Sequence, residues 1–245
     1  MRTQRSAVGA ALRASAGVMW LLVFGCGMEA ERPAASTPDP AIASAERVEA
    51  PGPAAEVVAA LALEGDLDRC AHAYESCAVC HGRDGRGRDD GTFPQLAGQH
   101  RSVLIKQLVD IREGRRRNPI MAPYAEALID SQELADVASY VRSLPIPSRA
   151  QAKPDGEGGG PLYARDCGGC HGAHGEGNAE GFVPMLAGQH EAYLLRQIRA
   201  IAAGRRENAH PDMQAPVSTY ADDELRAVVR YAAGLPGSSR LDSVE

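Results

Sequence analysis

Two short clusters hold most of the side chains capable of chemistry: Cys77-Ala78-Val79-Cys80-His81 and Cys167-Gly168-Gly169-Cys170-His171. Each reads C-x-x-C-H, the attachment signal for c-type haem. On a helical turn, residues i, i+3 and i+4 share one face, so two thiols and an imidazole point at the same object. The thiols Cys77, Cys80, Cys167 and Cys170 can form thioethers to porphyrin vinyl groups, while His81 and His171 ligate iron from the proximal side. A redox dithiol would not need the adjacent histidine. A zinc site would pair one C-x-x-C with a distant second pair and leave both histidines idle. Two covalent haems are therefore the expected cofactors.

The elements that must position these clusters are duplicated. The segment 77–118 lies on 167–208 without a gap and with about half its positions identical, which marks a repeated unit. "CHG" recurs, then a glycine-rich stretch, then "PQLAGQH" at 94–100 and "PMLAGQH" at 184–190, then Gly114-Arg115-Arg116 against Gly204-Arg205-Arg206. After a small length difference the copies regain step in "ELADVASYVRSLP" (133–145) and "ELRAVVRYAAGLP" (224–236). Helix signals precede each C-x-x-C-H near Leu67–Ser76 and Leu162–Asp166. Leu104, Leu108 and Ile111 then share one helical face closed by Gly114, and Leu194, Ile198 and Ile201 repeat it before Gly204. Asp130-Ser131-Gln132-Glu133 has capping-box form and opens a helix burying Leu134, Val137, Val141 and Leu144, which Pro145 stops. No period-2 apolar run of strand length occurs, so the fold expected is all-α. Each unit is at the small end of what folds alone, and a covalently held porphyrin would complete its core in a chain with three Phe and one Trp.

The N-terminus has Arg2, Arg5 and Arg13 followed by an apolar run from Ala14 to Phe24, the pattern of a secretory signal over residues 1–25 and too short for a membrane span. Cys26 follows at the place where a bacterial lipoprotein carries its modified cysteine; an ordinary signal cleaved nearby is the alternative. Residues 26–62, rich in Pro, Ala, Ser and acids, read as a flexible tether. The domains expected are 63–147 and 160–238, joined by a linker at 148–159 that contains "KPDGEGGG" and followed by a tail at 239–245. Formal net charge is −6, and −9 once the three arginines of the leader are removed, which disfavours nucleic-acid binding.

The second axial position decides between carrier and catalyst. Met121 in "NPIMAPYA" and Met213 in "HPDMQAPV" lie at corresponding places before the last helix of each unit. A thioether favours Fe(II) and raises the potential. His210, three residues before Met213 and without a counterpart in the first unit, is a rival ligand. Met185 is another, better read as packing. His100 and His190 match each other and, opening an amphipathic helix, are expected to face solvent. His72 and His174 have no role assigned. Cys70 is an odd thiol, absent from the second unit and best read as a small buried residue.

Two tandem C-x-x-C-H units, "LAGQH", "GRR.N", a Met loop and a "Y...LP" helix resemble the dihaem cytochromes c4 of the class I cytochrome c superfamily, over about Leu63 to Gly237. The resemblance implies two tandem class I cytochrome c domains related by a pseudo-twofold axis, each wrapped around one His/Met haem c. It implies a periplasmic or membrane-associated carrier of single electrons, with a donor such as a quinol-oxidising complex and an acceptor such as a terminal oxidase. By the same resemblance Arg115 and Arg205 contact haem propionates, and the carbonyls of Pro94 and Pro184 take the proximal imidazole N–H. The alternatives are a cytochrome subunit of a larger oxidoreductase complex, or a dihaem peroxidase or thiosulfate-dehydrogenase-like enzyme, which would need an open or displaceable ligand.

Overall fold

A computed structural model of the chain describes residues 54–146 and 158–236, except the side chains of Leu67, Asp68 and Cys70. All of these residues fall within one compact unit of the chain, Glu49–Glu245. The signal segment, Cys26, the tether as far as residue 53, the linker between 147 and 157, the tail and the Cys70 thiol lie outside the described residues.

Two helical domains follow each other. The first holds α1 (Ala55–Leu61), α2 (Leu67–His81), α3 (Arg101–Arg112), α4 (Ala122–Glu126) and α5 (Ser131–Ser143). The second holds α6 (Gly159–Asp166), α7 (Gly168–His171), α8 (Glu191–Ala202), α9 (Pro211–Val217) and α10 (Asp222–Gly234). The described residues contain no strand beyond one isolated bridge between Asn178 and Val183, and the fold is all-α.

The last helix of each domain is its principal packing partner. α5 starts because the Asp130 carboxylate accepts from Glu133 N at 2.8 Å. The Glu133 carboxylate returns to Ile129 N at 2.6 Å, one residue earlier than a capping box would place it. α5 buries Leu134, Val137 and Val141 as its pattern requires, and Tyr74 of α2 packs with Val137 and Val141. α10 repeats the arrangement with Leu225, Val228, Val229 and Ala232 against Tyr163 of α6.

One boundary differs from the sequence reading. Residues 55–61, assigned to the tether, form α1, with Val57 and Ala60 fully buried against Ile105, Val109 and Leu134. The Ala-rich composition conceals an i, i+3, i+4 stripe at Val57, Ala60 and Leu61. Burying a valine of this kind contributes about 1.5–2 kcal/mol. Arg101 holds the C-terminal end of α1, donating to the carbonyls of Ala60 (2.9 Å), Leu61 (3.2 Å) and Leu63 (2.6 Å). Arg112 pairs with Glu56. α1 also explains a shift in α3: Ile105 and Val109 are its most buried residues, and the expected Leu104 and Leu108 sit half-buried at the junction of two clusters. A helix covered on two sides needs more than one apolar stripe.

The domains interlock through their loops. Phe182, at φ 55, extends from the second domain against the Val57 cluster of the first. Ser102 Oγ donates to Ala179 O at 2.6 Å.

Candidate functional site

α2 delivers Cys77, Cys80 and His81 in its last turn and a half. His81 is 3% exposed, and its Nδ1 donates to the carbonyl of Pro94 at 3.0 Å. That bond fixes the tautomer and leaves the lone pair on Nε2, which is buried and has no partner. Burial pushes the His81 pKa down, against the pull of the Pro94 carbonyl, so the ring is neutral and able to ligate. His81 lines a narrow cleft with Cys77, Cys80, Phe93, Ile120, Met121 and Tyr124. The imidazole and the Phe93 ring form a T-shaped pair, 5.9 Å between centroids.

The second domain repeats the buried histidine and its hold on a prolyl carbonyl. His171 is 6% exposed and its Nδ1 donates to Pro184 O at 2.9 Å. Both prolyl carbonyls are reached because the glycine loop folds tightly beneath them. Gly87 N donates to His81 O at 2.7 Å and Gly177 N to His171 O at 2.8 Å. A Cβ on Gly87 would fall 2.5 Å from Pro94 O, and one on Gly177 2.6 Å from the Pro184 carbonyl carbon, at φ of 74° and 72°. Only glycine fits there.

Cys77 and Cys167 are not tuned for exchange chemistry. Burial pushes Cys77 up and Cys167 up to about 11, opposite to the depressed values of redox C-x-x-C sites. A neutral histidine with an unpartnered buried Nε2, two thiols on its helix face and a thioether lining the same cleft are residues that would fit a covalently attached haem.

Met121 is the N-cap of α4 and half-buried on the cleft. Met213 lies in the first turn of α9, half-buried against the second core. His210, the rival, is exposed and caps α9, its Nδ1 accepting from Asp212 N at 3.2 Å. Met185 is buried in the second core, consistent with packing. His72 and His174 are exposed. Arg115 is held by Asp110 at 2.9 Å and by Glu113, and Arg205 is exposed.

Two features escape the sequence. The first is a tyrosine clamp: Tyr74 OH donates to Gly82 O at 2.9 Å and Tyr163 OH to Gly172 O at 2.8 Å, tying each haem-motif helix to the residue that follows its histidine. The second is the role of "LAGQH". His100 and His190, expected in solvent, are buried between the domains. His100 Nε2 donates to Glu176 O at 2.7 Å, and His190 Nε2 to Arg86 O at 2.8 Å. Their partners are 76 and 104 residues away, and helical periodicity reports only burial within one domain. Beside them Arg116 and Arg206 reach across to each other's glutamine: Arg206 donates to Gln107 at 2.9 Å and Arg116 to Gln197 at 3.4 Å. Burial, with Arg116 close by, brings Arg206 down to about 10.

The Cytochrome c family model matches residues 68–145 and again 157–235. The thiosulfate dehydrogenase electron acceptor of Stutzerimonas stutzeri is 38% identical over 172 residues, 65% of this chain and 79% of that protein. Cytochrome c4 of Pseudomonas aeruginosa is 34% identical over 170 residues, 65% of this chain and 83% of that one. The crystal structure of reduced recombinant cytochrome c4 from Pseudomonas stutzeri superimposes with a TM-score of 0.63 at 29% identity, covering 70% of this chain and all of that one. With two such domains in tandem, the chain belongs to the cytochrome c family, as an electron-transfer cytochrome of the dihaem c4 type carrying two haem c groups.

Proposed function

We propose that Cys77, Cys80, Cys167 and Cys170 form the thioethers, that His81 and His171 are the proximal iron ligands, and that Met121 and Met213 are the distal ones. The observation that carries this reading is the His81 Nε2, buried and unpartnered in a cleft shared with Cys77, Cys80 and Met121. The haem iron supplies one-electron Fe(III)/Fe(II) chemistry. With His81 and Met121, and His171 and Met213, as its ligands, each iron would have no site left for a small molecule, which would separate a carrier from a catalyst. Pro94 and Pro184 hold the imidazole N–H, a contact that raises ligand basicity. Propionate contacts by Arg115 and Arg205 rest on the family resemblance alone; Arg115 is meanwhile shared with Asp110 and Glu113.

The protein passes single electrons between redox proteins outside the cytoplasmic membrane, exported by the 1–25 signal and held near a membrane by lipid at Cys26. A quinol-oxidising complex as donor and a terminal oxidase as acceptor suit such a carrier. A dehydrogenase as donor is the second reading, supported by the relative that accepts electrons from thiosulfate dehydrogenase. The docking edge is that of the first haem, where Ile120 and Tyr124 are exposed on the cleft and Val79 is exposed between Cys77 and Cys80. Small apolar rims of this kind suit brief encounters.

Mass spectrometry of the denatured, haem-loaded chain tests the attachment. Two haems are expected to remain bound, and one in a Cys77→Ala/Cys80→Ala variant; loss of both on denaturation would overturn it. Thiosulfate alone is expected to leave the oxidised protein oxidised. Reduction by thiosulfate unaided would replace the carrier reading with an enzymatic one.

A further inference from the structure

The peptide between Pro94 and Gln95 makes two hydrogen bonds at once. Its carbonyl accepts from His81 Nδ1 at 3.0 Å, and its N–H donates to Gln189 Oε1 of the other domain at 2.9 Å. The peptide between Pro184 and Met185 does the same: its carbonyl accepts from His171 Nδ1 at 2.9 Å and its N–H donates to Gln99 Oε1 at 3.0 Å. Each glutamine is locked in place by its other atom, Gln189 Nε2 donating to Gln95 O at 2.8 Å and Gln99 Nε2 to Met185 O at 3.1 Å. Both glutamines are buried, so water does not compete for these groups.

A peptide whose N–H is engaged is a better acceptor at its carbonyl, because hydrogen bonds in series polarise one another, and more so at low dielectric. A stronger acceptor draws the imidazole N–H toward itself and raises electron density at the opposite nitrogen. We propose that Gln189 and Gln99 are positioning residues that tune the axial histidine of the opposite domain, Gln189 acting on His81 and Gln99 on His171 through the intervening peptide. The proposal deepens the function above and rests on its assignment of His81 and His171 as iron ligands. A more basic imidazole favours Fe(III), so each glutamine lowers the potential of the haem across the interface. Docking of the domains and the potentials of both centres are thereby linked: any partner that loosens the interface raises both.

The test uses the full haem-loaded chain. Potentials are measured by spectroelectrochemical titration and assigned to domains through the ring N–H proton resonances of His81 and His171 in the reduced protein. Gln189→Leu is expected to raise the potential of the first-domain haem and move the His81 resonance, leaving His171 in place. Gln99→Leu is expected to do the reverse. Ser102→Ala removes a different interface bond (to Ala179 O) and is expected to move neither. Should leucine prevent assembly, Gln189→Asn and Gln99→Asn, one methylene shorter, are expected to give the same crossed pattern. A shift confined to the substituted residue's own domain, equal shifts in both, no shift, or reproduction of the effect by Ser102→Ala would overturn the proposal. The near-infrared band of Met-ligated ferric haem and the two ring N–H resonances are recorded first for the unsubstituted protein. Missing ring resonances there overturn the histidine assignment and the proposal with it; their presence without a crossed shift overturns the proposal alone.

Discussion

The two domains carry the same motif on different backbones. In the first, the tyrosine that clamps the loop, Tyr74, stands three residues before Cys77, and α2 runs unbroken to His81. In the second, Tyr163 stands four residues before Cys167, and the helix breaks there, with Cys167 at φ −119 and ψ −43 between α6 and α7. One extra residue turns a helix by about 100°, which would rotate either the tyrosine or the thiols away from their targets. The break absorbs that rotation, so both tyrosines still reach the glycine after their histidine and both histidines still reach a prolyl carbonyl. Contacts at the two ends of the segment, more than its length, decide where the helix gives way.

The domains also differ in what surrounds the site. Among the described residues only the first has such a helix, α1; where it carries the holdfasts Arg101 and Arg112, the aligned positions of the second are Glu191 and Ala202. The apolar rim of the first haem edge is missing from the second as well: Val79 aligns with Gly169. The face proposed for docking thus belongs to the first domain, in which α1 packs against α3 and α5.

The largest effect that separates the domains should come from Val57→Asp, which buries an unpaired charge in the α1–α3 contact. It is expected to destabilise the first domain by about 3 kcal/mol or more. Unfolding followed at each haem should show the first domain moving more than the second, which meets that cluster through Phe182; equal movement of both would break the claim that α1 serves chiefly the first domain.

Asp110 comes next. Aligned with Ala200, it links α3 to Asn208 of the second domain at 2.8 Å. Burial raises its pKa, but hydrogen bonds from Asn208, Lys106 and Arg115 outweigh burial and hold the carboxyl below its usual range. A carboxyl depressed on folding stabilises the native state above its unfolded pKa, and that contribution is lost as pH falls below about 4. Asp110→Asn is therefore expected to cost about 2 kcal/mol at pH 7 and to flatten the acid limb of stability measured by denaturant titration. An unchanged acid limb would contradict this.

Smaller and equal losses are expected from Tyr74→Phe and Tyr163→Phe, about 1–2 kcal/mol each, measured in the same way. A loss confined to Tyr74→Phe would mean that the broken helix has dispensed with its clamp. Last, Gly169→Ala should stabilise the second domain by about 0.5–1 kcal/mol, since the residue is helical and its Cβ meets nothing within 4 Å. Destabilisation would show that the break needs the glycine's freedom rather than merely tolerating it.

The cofactor sites were legible because their chemistry is local. C-x-x-C-H fits within about one helical turn, and Met121 and Met213 were singled out as candidate ligands because duplication placed them at corresponding positions. The major helices followed from apolar spacing, and α5 from its cap and from Pro145. What was not legible lies across the molecule. His100 and His190 open polar-looking helices, yet their partners belong to the other domain. Gln99 and Gln189 are ordinary polar residues until the opposite peptide is brought beside them. The residues of α1 read as tether because seven alanine-rich residues make a weak helix alone; Ile105 and Val109 supply the surface that forms it.

The central claim is that these unlike domains hold equivalent, closed His/Met centres. It is tested most directly by optical spectra of the purified haem-loaded protein. The near-infrared band of Met-ligated ferric haem is referred to total haem, and the reduced protein is then exposed to carbon monoxide. A band accounting for both haems, with no carbon monoxide bound, is the predicted result. A band for one haem only, or ready carbon monoxide binding, would contradict it and turn attention to Met213 and the second domain.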